Sequence, residues 1–232
     1  MRRTRLLVVA LLALGLAAAC SQPDPADLPS PVETTTEWST PTTTTPVFGA
    51  QVLTVTADDL YASWREGCPH AVEDLRAMVV THWGYDDQVH EGRVIVDAAL
   101  ADGLVTVFHD LFDAHFPIEK MEPIDAYGGS DEASTAANNT SAFNCRPATG
   151  GTSWSQHAFG RAIDVNPAVN PYVKGDIVLP PESAIYLDRN RTDPGLIHDG
   201  DAAVLAFDRQ GWIWGGHWQT LKDYQHFSPS GN

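Results

Sequence analysis

The sequence predicts an α+β domain in which a small antiparallel sheet is flanked by helices. Short apolar runs typical of strands alternate with stretches of helical spacing, yet the chain lacks the regular strand–helix–strand rhythm of a doubly wound fold. Hydrophobic residues make up 43% of the 232 residues and charged residues 19%, which is ordinary for a folded domain and too apolar for a disordered chain. We expect the folded domain over residues 51–232.

The first half of this domain contains the clearest elements. Thr56–Asp59 has the pattern of a capping box and predicts a short helix that continues to about Arg65. Two apolar, partly β-branched runs predict strands over 75–83 and 93–96. Apolar residues at helical spacing predict the longest helix, over 97–115.

The second half is predicted to be less regular. Residues 128–140 are polar and rich in Gly, Ser and Asn, which predicts a loop, and residues 166–196 hold five Pro, which predicts an irregular surface segment. A second helix is predicted over 199–210, capped by Asp199 and ended by Gly211. Short strands are predicted over 141–146, 161–165, 212–214 and 224–227.

The charge of the chain restricts its partners. Fourteen Lys and Arg stand against 30 Asp and Glu, which gives a formal net charge of −16 at pH 7. Nucleic-acid backbones are bound mainly through Lys and Arg. We therefore expect no nucleic-acid partner.

The N-terminus has the composition of an export signal. Three Arg occur within the first five residues, an apolar run follows over 6–16, and small residues lead into Cys20. The apolar run is shorter than the roughly 20 residues that a membrane-spanning helix needs, so residues 1–19 are predicted to be a secretory signal peptide. The small residues before Cys20 resemble a bacterial lipobox, with Ala17 where Leu is usual. This resemblance implies a lipidated Cys20 and a membrane anchor; an ordinary signal peptide and a secreted protein are the alternative.

Residues 20–50 are predicted to be a linker. They are rich in Pro and Thr, as in the run PTTTTP at 41–46, and cannot bury much apolar surface. The expected role of this segment is a tether between membrane and domain.

Export also makes a disulfide possible. With Cys20 set aside, Cys68 and Cys145 have only each other as partners, and we predict that they are bonded. Closing such a loop stabilises by roughly 4 kcal/mol on the chain-entropy model. Two buried free thiols are the alternative, and the lack of a CxxC pair argues against a zinc site built on Cys.

Two segments concentrate residue types that catalysis uses. In SQHAFGRAID, at 155–164, Gly160 lets the backbone turn so that His157 and Asp164 can converge. In GGHWQTLKDYQHF, at 215–227, Asp223 precedes His226 by three residues. Two His and one Asp leave a fourth zinc position for water, which is typical of a catalytic rather than a structural zinc. A hydrogen-bonded core pair or a surface feature is the alternative for any single His–Asp pair.

These motifs make the sequence recognisable. SQHAFGRAID resembles the SxHxxGxAxD signature of the M15 family of zinc peptidases, which are D-alanyl-D-alanine carboxypeptidases and related cell-wall peptidases. WGGHWxxxxDYQHF resembles that family's closing motif. The resemblance extends over roughly residues 60–229. It implies a Hedgehog/DD-peptidase-like zinc peptidase fold with one Zn²⁺ per domain and a peptidoglycan peptide as substrate.

The resemblance also implies roles for individual residues. His157, Asp164 and His226 correspond to the three zinc ligands. Asp223 corresponds to the catalytic carboxylate that moves the proton of the attacking water to the leaving amine. Arg146 resembles the arginine that stabilises the developing oxyanion, although a structural salt bridge is the alternative for it.

Three further residues are weaker candidates for substrate binding. Ser155 is expected to hydrogen-bond within the first motif, because no GxSxG turn or triad accompanies it. His217 stands where relatives often have Asp, and could contact substrate, replace Asp223 as the base, or lie at the rim. Trp218 could wall the cleft, although core packing explains a single Trp equally well.

The expected function is that of an exported zinc metallopeptidase acting on peptidoglycan stem peptides in a bacterium. D-Ala–D-Ala carboxypeptidase activity is the first expectation, and the domain is expected to be a monomer located outside the cytoplasm. An endopeptidase of the same family, cutting L-Ala–D-Glu or a cross-bridge, is one alternative. A non-catalytic zinc-binding module that recognises the wall is the other.

Overall fold

A computed structural model describes residues 45–231 and contains four small sheets and three α-helices. The predicted signal peptide, Cys20 and most of the predicted linker lie outside the described residues. The first sheet has the order β1 (Ala50–Thr54), β2 (Leu75–Trp83) and β3 (Val89–Asp97), and both pairings are antiparallel. The predicted strand over 75–83 is confirmed. The strand predicted over 93–96 begins four residues earlier, at Val89.

Both faces of this sheet are covered. One face packs against helix α1 (Ala101–Asp113) and helix α3 (Ala202–Arg209). The larger core there includes Met78, Val80, Val94, Val96, Leu104, Phe108, Leu111 and Phe207. A smaller cluster on the other face includes Leu60, Leu75, Ala77, Ile95 and Phe143. Because side chains alternate along β2 and β3, this one sheet contributes to a hydrophobic core on each of its faces.

The helices differ from prediction at their starts. Helix α1 is predicted over 97–115 and observed over Ala101–Asp113. The cap of α3 is not Asp199 as predicted but Asp201, whose carboxylate accepts hydrogen bonds from the backbone N–H groups of Ala203 and Val204. Asp199 lies too far before the first turn to reach these donors. Gly211, with φ +75°, follows the end of α3 as predicted.

The region predicted as a polar loop contains a helix. Helix α2 (Asp131–Ala136) lies within 128–140, and Ser130 caps it by accepting from the backbone N–H of Ala133 at 3.1 Å. Ser, Asp and Asn in this segment cap and begin a short helix rather than forming only turns. β5 (Asn139–Thr140) follows and pairs in parallel with β4 (Lys120–Met121). The strand predicted over 141–146 is wrong, since only Ser141 forms a bridge, opposite Asp164.

Two antiparallel sheets organise the second half of the domain. One has the order β6 (Ile163–Asp164), β11 (His226–Ser228) and β9 (Ile213–Trp214). The other has the order β10 (Lys222–Asp223), β7 (Tyr172–Lys174) and β8 (Ile177–Leu179). The hairpin β7–β8 lies in the segment predicted as irregular, with Gly175 at φ +58° in its turn. Together the two sheets contain Asp164 of the first motif and Asp223 and His226 of the second.

Short 3₁₀ turns connect these elements, at Asp58–Leu60, Val72–Asp74, Ile124–Tyr127, Gln156–Phe159, Pro181–Leu187 and Gly215–His217. The predicted capping box forms, with Thr56 N and Asp59 Oδ2 2.8 Å apart, but it begins a 3₁₀ turn rather than a longer helix.

A disulfide joins Cys68 to Cys145, the predicted pair. Within residues 45–231, no helix combines the length and apolarity that crossing a membrane requires. The fold is thus α+β with small, mainly antiparallel sheets.

Candidate metal centre

His157, Asp164 and His226 converge on one point. Asp164 on β6 and His226 on β11 are directly opposite each other in the antiparallel register, so both side chains lie on the same face. His157 is held in the 3₁₀ turn Gln156–Phe159. One potential ligand atom from each residue lies within 4.8 Å of the other two. Residues separated by up to 69 positions therefore form one cluster, and all three are largely buried.

The turn that carries His157 is fixed at both ends. Ser155 caps it, because its hydroxyl accepts a hydrogen bond from the backbone N–H of His157 at 3.3 Å. Gly160 closes it in the left-handed region, at φ +64°. A Cβ at Gly160 would meet the backbone nitrogen of Asp97 at 2.6 Å, so only Gly fits against the end of β3.

The hydrogen bonds of His157 indicate which of its nitrogens faces the centre. Nδ1 lies 2.6 Å from the carbonyl oxygen of Ala142, and because a carbonyl can only accept, Nδ1 carries the proton. Nε2 therefore faces Asp164 Oδ2 at 3.1 Å. Nδ1 of His226 lies 3.1 Å from the other carboxylate oxygen, Oδ1. A lone pair on Nε2 facing a carboxylate oxygen needs a cation, a proton or a metal ion, to make the contact favourable.

The donor set fits zinc. Two imidazoles and one carboxylate are ligands that Zn²⁺ uses in catalytic sites, where a fourth position stays open. The backbone carbonyl behind His157 is the kind of outer partner that orients a metal-binding imidazole. Within residues 45–231 this is the one cluster of three or more His, Cys, Asp or Glu side chains with such convergence.

The charges of the centre act on its two carboxyl groups in opposite directions. Burial would raise the pKa of Asp164, but the charge of His157 and hydrogen bonds from both histidines hold that pKa well below its usual range. Burial, followed by repulsion from Asp164, raises the pKa of Asp223 to about 6. A carboxyl group with that pKa can both accept and donate a proton near neutral pH.

Asp223 is placed beside the centre by the turn before it. It lies on β10, and its Oδ1 accepts a hydrogen bond from Nε2 of Gln225 at 3.2 Å. Gly215 makes the approach possible, because a Cβ there would meet the carbonyl oxygen of Asp223 at 2.5 Å. A Cβ on Gly216 would meet the ring of Trp214 at 2.4 Å. The double glycine of the second motif is thus explained by packing.

A cleft of about 630 Å³ opens onto these groups. Its wall includes the three candidate ligands, Asp223, Ser155 and Trp218. Arg146 also lines it; its Nε donates to Asp131 Oδ1 at 2.9 Å and its Nη1 to the carbonyl of Pro147. Arg146 is therefore in the cleft and in a salt bridge at once, so both sequence interpretations describe a part of its environment.

His217 lies apart from this cleft. Its Nε2 is 2.8 Å from Asp199 Oδ1, and its ring is 5.2 Å from that of Trp214. It lines a second pocket beside α3 and is not among the residues that line the cleft. Of the three roles considered from the sequence, a position at the rim of the cleft agrees best with this geometry.

Among the cleft residues that were not found from sequence, three adjoin predicted site residues. Asp131 holds Arg146, and no motif marks it. Tyr172 lies opposite Asp223 in the pairing of β7 and β10, inside a segment predicted as irregular. Gln225 lies within the second motif, so its position between Asp223 and His226 was the available signal.

Comparison with protein families gives a match over the part of the chain that contains both sequence motifs. Residues 149–229 match the peptidase M15 family model described as D-alanyl-D-alanine carboxypeptidase. Both sequence motifs lie inside the matched range, whereas Arg146, Asp131 and the disulfide lie before it. Searches of curated proteins and of solved structures gave no significant match.

Proposed function

We propose, from the premise that residues 149–229 belong to the M15 peptidase family, that the protein is an exported zinc metallopeptidase with D-alanyl-D-alanine carboxypeptidase activity. The family supports a peptidase that acts on cell-wall peptides. The Hedgehog/DD-peptidase-like architecture is part of the proposal, and the α+β fold with small antiparallel sheets is compatible with it.

One observation carries the proposal: the convergence of His157, Asp164 and His226 at a cleft that also holds Asp223. Any of these residues alone would be explained by packing. Their approach to within 4.8 Å, with a proton-transferring carboxyl nearby, is what a hydrolytic metal site requires.

The residues of the chain then have defined tasks. Bound zinc would supply a Lewis acid that polarises a carbonyl and makes water more acidic. Asp223 accepts the proton of the attacking water while the new C–O bond forms. It returns the proton to the leaving nitrogen as the C–N bond breaks, so it ends the cycle in its initial state. Gln225 holds Asp223 Oδ1 during both transfers.

Arg146 is proposed to stabilise negative charge on the carbonyl oxygen of the scissile bond. Its guanidinium lies in the cleft wall, and Asp131 fixes its Nε edge. A cation fixed in this way needs little rearrangement as charge develops, which is the condition for effective electrostatic stabilisation.

The test combines metal content with product analysis. Purified muropeptides are digested with wild type, Asp223→Ala, and Asp113→Ala as a control on the surface of α1. Mass spectrometry should show loss of one terminal alanine with wild type and control, and at least about 100-fold slower loss with Asp223→Ala at equal zinc content. Two larger fragments would assign an endopeptidase instead. Zinc binding by all three proteins without any cleavage would overturn the enzymatic proposal.

We further propose that Cys20 is lipidated and tethers the domain to the outer face of the membrane. The support is the sequence pattern of residues 1–20 and the Pro/Thr-rich segment that follows. In cells, Cys20→Ser should move the protein from the membrane fraction to the soluble fraction. Unchanged membrane association of the variant would contradict lipidation.

A further inference from the structure

Two buried polar atoms, on residues that line the cleft, lack hydrogen-bond partners among residues 45–231. They are Oε1 of Gln225 and Nε1 of Trp218, and both atoms are buried. Gln225 as a whole is only 7% exposed. Buried polar groups without partners are costly and few in native proteins, so each one needs an explanation.

Both residues adjoin His226, and hydrogen bonds hold their backbones in place. Gln225 precedes His226, and its backbone carbonyl accepts from the backbone N–H of Val165, beside Asp164, at 2.9 Å. The Trp218 ring lies 5.2 Å from the His226 ring, and its backbone N–H donates to the carbonyl of Gly215. The two atoms without partners therefore belong to residues whose backbone is fixed next to the candidate metal centre.

The orientation of the Gln225 amide follows from its other contact. The ionised carboxylate of Asp223 can only accept, so Nε2 of Gln225 faces Asp223 Oδ1 and Oε1 is left as an acceptor. Trp218 Nε1 can only donate. One acceptor and one donor together complement a peptide unit, which offers an N–H and a carbonyl.

We propose that Gln225 and Trp218 form a subsite for a backbone amide of the substrate next to the scissile bond. Gln225 Oε1 accepts the substrate N–H, and Trp218 Nε1 donates to a substrate carbonyl. Because the same Gln225 side chain donates to Asp223, a bound substrate amide is linked through one residue to the group that transfers the proton. This inference rests on the proposed peptidase function and adds a substrate requirement: a peptide N–H beyond the bond that is cut.

An ester scan of the substrate tests the proposal. A set of stem peptides is made in which one non-scissile amide at a time is replaced by an ester, which removes an N–H and keeps the shape. With wild type, one ester position should lower kcat/KM by at least about 10-fold, the effect of one hydrogen bond to a buried group. With Gln225→Met, a side chain of similar length without an acceptor, the amide and the ester at that position should be cleaved equally well.

The control is Gln219→Met, an exposed glutamine outside the cleft, which should keep the wild-type preference for the amide. Gln225→Glu keeps an acceptor and loses the donor to Asp223, so it should keep the preference for the amide while kcat falls. Thermal unfolding and zinc content of Gln225→Met should match wild type. An amide preference that persists in a folded Gln225→Met protein, or the absence of any sensitive ester position in an active wild type, would overturn the subsite. A wild type that cleaves none of the peptides would instead refute the proposed function.

Discussion

Asp164 is the residue on which the candidate metal centre depends. One carboxylate contacts both imidazoles, with Oδ2 3.1 Å from His157 Nε2 and Oδ1 3.1 Å from His226 Nδ1. The depressed pKa keeps this group ionised, as a metal ligand must be. A neutral amide at this position would keep the shape of the side chain but lose the charge that attracts a cation.

Metal removal should therefore lower the stability of the protein. An ion that binds only the folded state stabilises that state by about 2.7 kcal/mol when its concentration is 100 times its dissociation constant. We expect added Zn²⁺ to raise the Tm of metal-free wild type, measured by circular dichroism, and chelation to reverse the change. Asp164→Asn should show little response to zinc, whereas Asp223→Ala should respond like wild type. An equal zinc response in Asp164→Asn and wild type would place the metal elsewhere.

Arg146 should contribute to rate rather than to folding. Its side chain lies in the cleft wall, whereas Arg209, which bonds Asp110 through Nε and Nη2, lies on the surface between α1 and α3. We expect Arg146→Ala to lower kcat by about 100-fold or more with unchanged zinc content, as for other electrostatic groups of this kind. Arg209→Ala removes a comparable surface ion pair, which is worth about 1 kcal/mol at most. Equal kcat values in steady-state assays of the two variants would reduce Arg146 to a structural role.

At the scale of elements, the turn that carries His157 depends on the conformation and the close packing of Gly160. Gly160 and Gly128 allow a clean comparison, because both have positive φ, +64° and +63°, and differ only in the space around them. A Cβ at Gly160 would meet Asp97 N at 2.6 Å, whereas a Cβ at Gly128 would have nothing within 4 Å. Conformational strain is thus shared by the two sites, and steric conflict is present at Gly160 alone.

Alanine substitutions at these two glycines should therefore differ. Gly128→Ala should lower the free energy of unfolding by about 1 kcal/mol, the cost of a left-handed L-residue. Gly160→Ala should cost about 2 kcal/mol more and weaken zinc binding, because the turn that carries His157 must shift. Urea denaturation and zinc titration measure the two effects. Similar losses of stability in both variants would mean that the end of β3 yields to the extra methyl group.

The sequence signal was strong for long periodic elements and weak for local ones. The strand over 75–83 and the two main helices were predictable because their apolar spacing spans several turns or residue pairs. Helix α2 was missed because it is only six residues long and largely polar, so it has no apolar periodicity. The cap of α3 was placed at Asp199, two residues before Asp201, which accepts from the backbone N–H groups of Ala203 and Val204. The hairpin β7–β8 was not predicted, because the prolines around it indicated an irregular segment.

The candidate site shows the same division. Its ligands could be proposed from the sequence, because the residue types and the family motifs mark them at fixed spacing. Asp131 and Tyr172 could not be found, since they reach the cleft through α2 and β7, whose positions depend on tertiary packing. His217 lies within a motif, yet its imidazole is directed to Asp199 rather than into the cleft.

At the scale of the whole domain, the site is connected to both cores. Phe227, the neighbour of His226 on β11, stacks on Phe207 of α3 with ring centroids 4.0 Å apart, which ties the second motif to the larger core. Cys145, the neighbour of Arg146, belongs to the smaller core and is bonded to Cys68. Its carbonyl also accepts a hydrogen bond from Arg65 at 2.7 Å. The disulfide therefore fixes the chain that leads into Arg146 and lies at the smaller core, whereas Ile163 and Phe227, the neighbours of Asp164 and His226, belong to the larger core.

Loss of the disulfide should consequently separate stability from metal binding. The bond closes a loop between positions 77 residues apart, and the paired variant Cys68→Ala with Cys145→Ala should lose roughly 4 kcal/mol of unfolding free energy. Urea denaturation of the oxidised wild type and of the variant measures this difference. At temperatures where the variant is folded, its zinc affinity should equal that of wild type, because the three candidate ligands are supported by β6, β11 and the turn at Gln156–Phe159. Its kcat should fall, since the backbone before Arg146 is released.

The opposite result would contradict this prediction. If the variant had weakened zinc affinity and an unchanged kcat per bound zinc, the smaller core would support the candidate ligands and would not support Arg146.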